Sequence, residues 1–349
     1  MKHFILLSAL ALGTARLWAQ DYGGALFFAQ PQALSPSFAG LKQSAASVTA
    51  GHLFRNFVAN TETRYLPIPG RSYSNLTTLS VDVPIFTRVY NGGAGMYIAN
   101  DLTAGVRTTE VLFALSYDVP LGYKVRHDHL RAGFQAGFAQ RALESESLFF
   151  EDQFTGRNFS GTTGDLNALS NLTQINADVS LGLMWYRTQK VLGNPEFLPF
   201  VGAALQHVNR PKIGFWSKEP TTIRYTAYAG MKQLTRGPVD FNAAVLFFAQ
   251  NRSMLFGLNA QARYVFYENG ELFGKEVAAL VFGFNARVME TVSPFVGVQY
   301  KKAFLFGISA DVYTGNERIN TPMAGFHVTA GYNFGADKYK GNLLPFAAF

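Results

Sequence analysis

His127-Asp128-His129 is the densest set of metal-type donors in this 349-residue chain. Two imidazoles and a carboxylate are ligands that zinc accepts, but spacing brings no further ligand to them, so the cluster reads as a solvated turn. Glu144, Glu146, Glu151 and Asp152 gather in one segment. Paired carboxylates can do acid–base work or hold calcium, yet neither a calcium-loop spacing nor a neighbouring base accompanies them. His52, His207 and His327 fall in strand-like segments without a nucleophile motif. No glycine loop of the phosphate-cradling type is present, and cysteine is absent. Asn75-Leu76-Thr77, Asn158-Phe159-Ser160 and Asn171-Leu172-Thr173 fit the glycosylation triplet, a pattern short enough to arise by chance. No catalytic site, metal or cofactor is expected, and the chain reads as a non-enzyme.

A second set of charges is more orderly. Arg55, Arg131, Arg224, Lys232, Arg263 and Arg287 share a parity with the polar residues around them. So do Asp82, Glu110, Asp118, Asp178, Asp240 and Asp311. Six charges of each sign would neutralise one another in an enclosed lumen. The elements that place them alternate with period two. In 130–138 the even positions Leu130, Ala132, Phe134, Ala136 and Phe138 are apolar, and Arg131, Gly133, Gln135 and Gly137 intervene. In 254–266 the even positions are apolar again; Asn259, Gln261 and Arg263 hold the other parity, with Leu255 and Val265 as exceptions. Side chains on a strand alternate between faces, so each segment has one greasy and one polar face. A transmembrane barrel turns the greasy face to lipid, where a basic residue would cost roughly 2–4 kcal/mol at the midplane.

Composition agrees with lipid on the outside. Charged residues make up only 15%, while Gly (33), Phe (32) and Tyr (16) are abundant. No run of eighteen apolar residues appears, so no transmembrane helix is expected. Lys2, the apolar 4–15 stretch and Ala19 form a secretory signal, which places the mature start at Gln20. The net charge of +7 is spread along the chain and does not suggest nucleic acid.

Fourteen strands are predicted, at 44–57, 72–84, 92–101, 108–121, 129–141, 174–188, 197–207, 222–236, 239–250, 253–267, 277–289, 293–300, 303–314 and 323–335. The fold class is therefore an all-β, antiparallel transmembrane barrel of about fourteen strands with a signal peptide. An even count puts both termini in the periplasm, and the long connections 58–71, 142–173 and 208–221 then all face outside. Arg236-Gly237-Pro238 and Lys301-Lys302 read as tight periplasmic turns, and 268–276 as a longer one. The division is 1–19 signal peptide, 20–43 periplasmic lead segment, 44–335 barrel and 336–349 tail. Asp118 and Arg131, both near the turn 122–128, are the expected ion pair across a hairpin.

Two segments could bind partners. The lead segment presents Phe27, Phe28, Pro36 and Phe38 on a run held extended by Gln30-Pro31 and Ser35-Pro36. It either plugs or packs against the lower rim of the barrel, or it docks a periplasmic partner. The loop 142–173 offers the anchors Phe149, Phe150 and Phe154 amid acids; it either docks a partner or folds inward.

These residues resemble a known family. Phe28, Gln30, Pro31 and Ser35-Pro36-Ser37-Phe38-Ala39-Gly40 are similar to the start of the PorP/SprF family of type IX secretion outer-membrane proteins. That family reads Asn-Pro-Ala-x-Ala-Gly at this place; Ser35 and Ser37 replace its Asn and first Ala. Arg55-Asn56, Phe150-Glu151-Asp152-Gln153-Phe154, 178–182, 201–207 with Pro211, Arg224-Tyr225 and Ala229-Gly230 resemble later family segments in order. Gly325-Phe326-His327-Val328 lacks the Glu that the family often has after its His. The resemblance implies a barrel in the bacterial outer membrane that works with secretion and gliding machinery. Its implied partners are outer-membrane lipid, a secreted surface protein such as an adhesin, and periplasmic ring or peptidoglycan-binding components. The alternative from the barrel alone is a passive pore or lipophile transporter.

Overall fold

The computed structural model describes residues 30–41, 44–57, 72–87, 90–103, 105–122, 127–143, 154–155, 158–159, 172–188, 196–212, 215, 220–235, 237–251, 253–268, 276–288, 290–314 and 323–335. The expected signal peptide and tail lie outside them. Five strands come first: β1 (Ala46–Phe57), β2 (Ser72–Phe86), β3 (Asn91–Thr103), β4 (Val106–Leu121) and β5 (Asp128–Leu143). A two-residue ribbon follows, β6 (Phe154–Thr155) with β7 (Asn158–Phe159). Then come β8 (Thr173–Arg187), β9 (Glu196–Gln206), β10 (Arg224–Leu234), β11 (Val239–Gln250) and β12 (Ser253–Tyr267). The last four are β13 (Glu276–Arg287), β14 (Thr291–Tyr300), β15 (Phe304–Tyr313) and β16 (Met323–Phe334). All but the ribbon form one closed antiparallel barrel, in which β1 pairs with β16 and β5 with β8.

Closure follows from the environment. An open edge in hydrocarbon would leave a row of backbone groups unpaired at several kcal/mol each. The fourteen barrel strands coincide with the fourteen expected from alternation, to within a few residues at their ends. Among the outward side chains, Phe113, Leu115, Phe134, Val245, Phe256 and Phe282 are each about half exposed on the wall that faces lipid. Aromatic residues ring both ends of that wall. Tyr117, Phe241, Tyr300 and Phe334 lie toward the short turns, and Tyr225, Phe256 and Phe284 toward the long loops, the girdle arrangement of outer-membrane barrels.

The inner parity is polar or small over most of the wall. Thr78, Ser80 and Asp82 on β2, Ser116 and Asp118 on β4, and Asp178 and Ser180 on β8 are all buried. Leu255 and Val265, which broke the alternation, lie on this inner parity, and Val265 is buried.

Residues 30–41 occupy the lumen, so of the two placements expected for the lead segment this part is a plug and not a docking ridge in the periplasm. The extended conformation expected of them is corrected. Pro31 and Pro36 each open a short 3-10 helix, Pro31–Ala33 and Pro36–Phe38. Proline is pre-organised for the first helical position, where no amide donor is needed. Ser35 caps the second turn by accepting the Ser37 N–H at 3.3 Å. Ser and Asn are interchangeable in that capping role, which accounts for Ser35 standing where the resembling family has Asn.

Candidate functional site: the plugged lumen

The plug is seated by hydrogen bonds to six strands. Gln30 Nε2 donates to the Thr49 carbonyl at 3.1 Å, and Gln32 Nε2 to the Val81 carbonyl at 3.0 Å. The Ala33 carbonyl accepts from Gln206 Nε2 at 2.9 Å and Arg224 Nη2 at 3.3 Å. The Ser37 hydroxyl shares a 2.8 Å hydrogen bond with Tyr228 Oη. Ala39 O accepts from Arg131 and from Ser116 Oγ, and the Gly40 N–H donates to Asp82. The plug therefore spends its polar groups on the inner wall, much as a strand spends them on its neighbours.

Its apolar side chains face two lumenal patches. Leu34, Phe38 and Leu41 cluster with Met184, Tyr186, Phe200, Tyr228 and Leu246. The Phe38 and Tyr228 ring centroids are 5.0 Å apart. Ala33 packs on Leu53, Leu76, Tyr97, Ala99 and Leu112. Pro36 and Phe38, expected on a partner-binding ridge, are thus buried inside the barrel and present no exposed docking surface. The physical reason is that the wall offers both an apolar patch and amide donors at the height of the segment.

Glycines on the inner parity let the plug backbone lie against the wall. A Cβ on Gly93 would overlap the Gly40 Cα, and one on Gly133 would overlap the backbone of Pro36 and Ser37. Gly40 also holds a φ of +72°, a left-handed conformation that other residues reach only at a cost.

The expected charge lattice divides into two networks, one under the plug and one on the facing wall. Under the plug, Arg131 Nη1 lies 3.3 Å from Asp118 Oδ2, as expected across the β4–β5 hairpin. Asp118 also accepts from the Tyr186 hydroxyl and lies 2.7 Å from His129 Nδ1. His129 stacks on Tyr186 with centroids 5.0 Å apart. The imidazole once counted in a metal-type turn is therefore tied into the Asp118 network, and Asp128 bonds Arg187 instead. Among the described residues no group of three metal-type ligands converges.

On the facing wall, Arg263 lies 3.5 Å from Asp240 and pairs with Glu276. Gln299 accepts from it at 3.0 Å. Arg287 reaches Asp311 at 3.3 Å, and Ser293 donates to Asp311 at 2.6 Å. Lys302, in the β14–β15 turn beyond the spanning strands, lies 3.5 Å from Glu276. Partial desolvation, then the Arg263 guanidinium, holds it below the usual lysine range. Lys232 is buried on the inner face of β10. Glu110, Asp178 and Arg224 line an outer vestibule above the plug, where His207 Nδ1 lies 3.0 Å from Asp178. The side chain of Arg55 and that of Phe154 are not among those described, and Phe27, Phe28, Phe149 and Phe150 lie outside the described residues.

Sequence reasoning missed His129, Glu276, Tyr186 and Tyr228. His129 has the parity of Arg131 and was readable on that ground. Glu276 was not, because the β12–β13 register shifts at Phe266/Tyr267 and carries Glu276 out of its strand's alternation.

The chain matches the family described as "Type IX secretion system membrane protein PorP/SprF" over residues 19–332. No curated protein matches it in sequence. Among solved structures it is similar to the P. putida toluene transporter TodX, at 10% identity and a TM-score of 0.42, covering 90% of this chain and 95% of that one. It is similar also to the β domain of the Bordetella autotransporter BrkA, at 12% identity and a TM-score of 0.38, covering 83% and 100%. The protein is a barrel of the bacterial outer membrane.

Proposed function

Because this chain belongs to the PorP/SprF family of type IX secretion system membrane proteins, we propose that it is a sealed, non-enzymatic barrel that helps export or anchor a secreted surface protein such as an adhesin. The observation that carries this reading is the filled lumen. Residues 30–41 are buried against the wall, and the opposite wall is cross-linked by the Arg263 and Arg287 networks. A barrel closed in this way acts through its two rims rather than through its bore. The long outer loops would meet the secreted protein. The periplasmic rim would meet the ring or peptidoglycan-binding components of the machinery.

The second reading, a passive pore or lipophile transporter, draws on one feature, the vestibule above the plug. It requires the plug to leave during transport. The test is a deletion strain compared with its parent by surface biotinylation, with the gene restored in trans. Loss of a specific exported protein from the surface, regained on restoration, is the expected result. An unchanged surface profile together with slower uptake of a small solute would replace this reading with the second. A lipase or protease activity of the purified barrel would overturn its non-enzymatic part.

A further inference from the structure

We propose that the outer vestibule of the lumen receives a short polypeptide segment bearing one basic and one acidic side chain. This rests on the export or anchoring role above and gives that role a contact site. The vestibule encloses about 730 Å³ including the space open to solvent, and its floor is Ala33 of the plug. The enclosed part holds only roughly half a dozen waters, so the vestibule admits side-chain ends from a segment lying across its mouth and not a folded domain.

One buried group in it lacks what it needs. Gln135 on β5 is 1% exposed and lines the cavity, and its Nε2 has no hydrogen-bond partner among the described residues. A buried amide donor left unsatisfied is costly. An acceptor entering from the mouth, such as a peptide carbonyl, would satisfy it.

The rim supplies the charges. Asp101, Thr108 and Arg141 face one another in register across β3, β4 and β5. Strands lie about 4.8 Å apart, so the acid and the base stand on the order of 10 Å from each other, about three residues of extended chain. Glu110 adds a second carboxylate beside Asp101, and Arg224 a second guanidinium across the cavity. A basic and an acidic side chain two residues apart lie on one face of an extended segment, about 7 Å apart at their Cα atoms, and their own length lets them splay to the opposite charges at both ends. A neutral saccharide would offer hydroxyls to both ends and charge to neither.

Two experiments test this. In the first, the intact barrel in lipid nanodiscs is titrated with the capped tripeptide Lys-Ala-Glu, read by saturation-transfer NMR. Capped Lys-Ala-Lys and maltose serve as comparators. The tripeptide of mixed charge should bind better than either comparator. Arg141→Gln and Gln135→Leu, each in a barrel that still resists unfolding by detergent at room temperature, should each weaken it about tenfold. No binding, equal binding of maltose, or binding indifferent to both substitutions would overturn the proposal and leave a water-filled cavity. The second uses the absence of cysteine from the chain. Thr108→Cys, labelled on growing cells with a bulky maleimide, should lower display of the surface protein that depends on this barrel. Labelling with a methylthiolating reagent should not. If the deletion strain loses that protein and the blocked vestibule does not, the vestibule site is wrong and the export role stands. If the deletion strain loses nothing, the export role falls, and the tripeptide titration alone judges the site.

Discussion

Replacing Arg131 by Met should destabilise the barrel by about 3 kcal/mol. Arg131 is 2% exposed and donates to Asp118, to Ser116 Oγ at 2.7 Å and to the plug carbonyl of Ala39. Removing one partner of a buried ion pair typically costs 3–5 kcal/mol, because the other charge is left uncompensated. The low end applies here, since His129 and Tyr186 still support Asp118. Asp118→Asn keeps the shape and leaves Arg131 its bonds to Ser116 and Ala39, so about 2 kcal/mol is expected. The double replacement leaves neither charge stranded and should cost about 3 kcal/mol, not the sum, which gives a coupling energy of about 2 kcal/mol. The assay is urea unfolding of the barrel in lipid vesicles, followed by heat-modifiable migration on gels. Losses that add to within about 0.5 kcal/mol would show that the two residues do not interact, and would refute the network drawn around Asp118.

Gly93→Val should displace the plug, because its Cβ would fall on the Gly40 Cα; a steady bilayer current absent from the intact protein is the expected readout. Cysteines placed at Phe134 and Phe256 should resist water-soluble thiol reagents, being on the lipid wall. Arg131→Cys should react slowly too, and should become reactive once residues 30–41 are deleted. Tyr228→Phe removes the 2.8 Å bond to Ser37 and should cost about 1 kcal/mol in the same unfolding assay.

The barrel was legible because lipid imposes one clean rule. Every spanning strand must keep its outward parity apolar, so Phe134, Phe256 and their kind announce the wall whatever fills the bore. Loop lengths then orient it, since the long connections expected at 58–71, 142–173 and 208–221 all follow strands that run in the same direction. The plug was legible only as one of two alternatives, because an apolar segment with two prolines satisfies a lumen and a docking surface equally well. Proline suits an extended chain and a helix start alike; here the Gln30 carbonyl accepts the Ala33 N–H and the Ser35 hydroxyl accepts the Ser37 N–H, so Pro31 and Pro36 each open a helical turn. A usable signal was nonetheless present. Gly93, Gly95, Gly133 and Gly182 all carry the inner parity, and each is where plug atoms approach the wall. Glycine on the lumenal parity of neighbouring strands is a sign that a backbone lies against them. The charged positions were readable by parity, but their pairing was not. Arg131 with Asp118 lies across one hairpin, while Arg263 reaches Glu276 only through a bulge that parity cannot count.

The central claim is that this barrel is sealed by its own residues 30–41, and single-channel recording in planar bilayers tests it most directly. The intact protein should insert without steady ohmic current, and the variant lacking residues 30–41 should conduct. A large, stable open-state current from the intact protein would contradict the account and favour a pore.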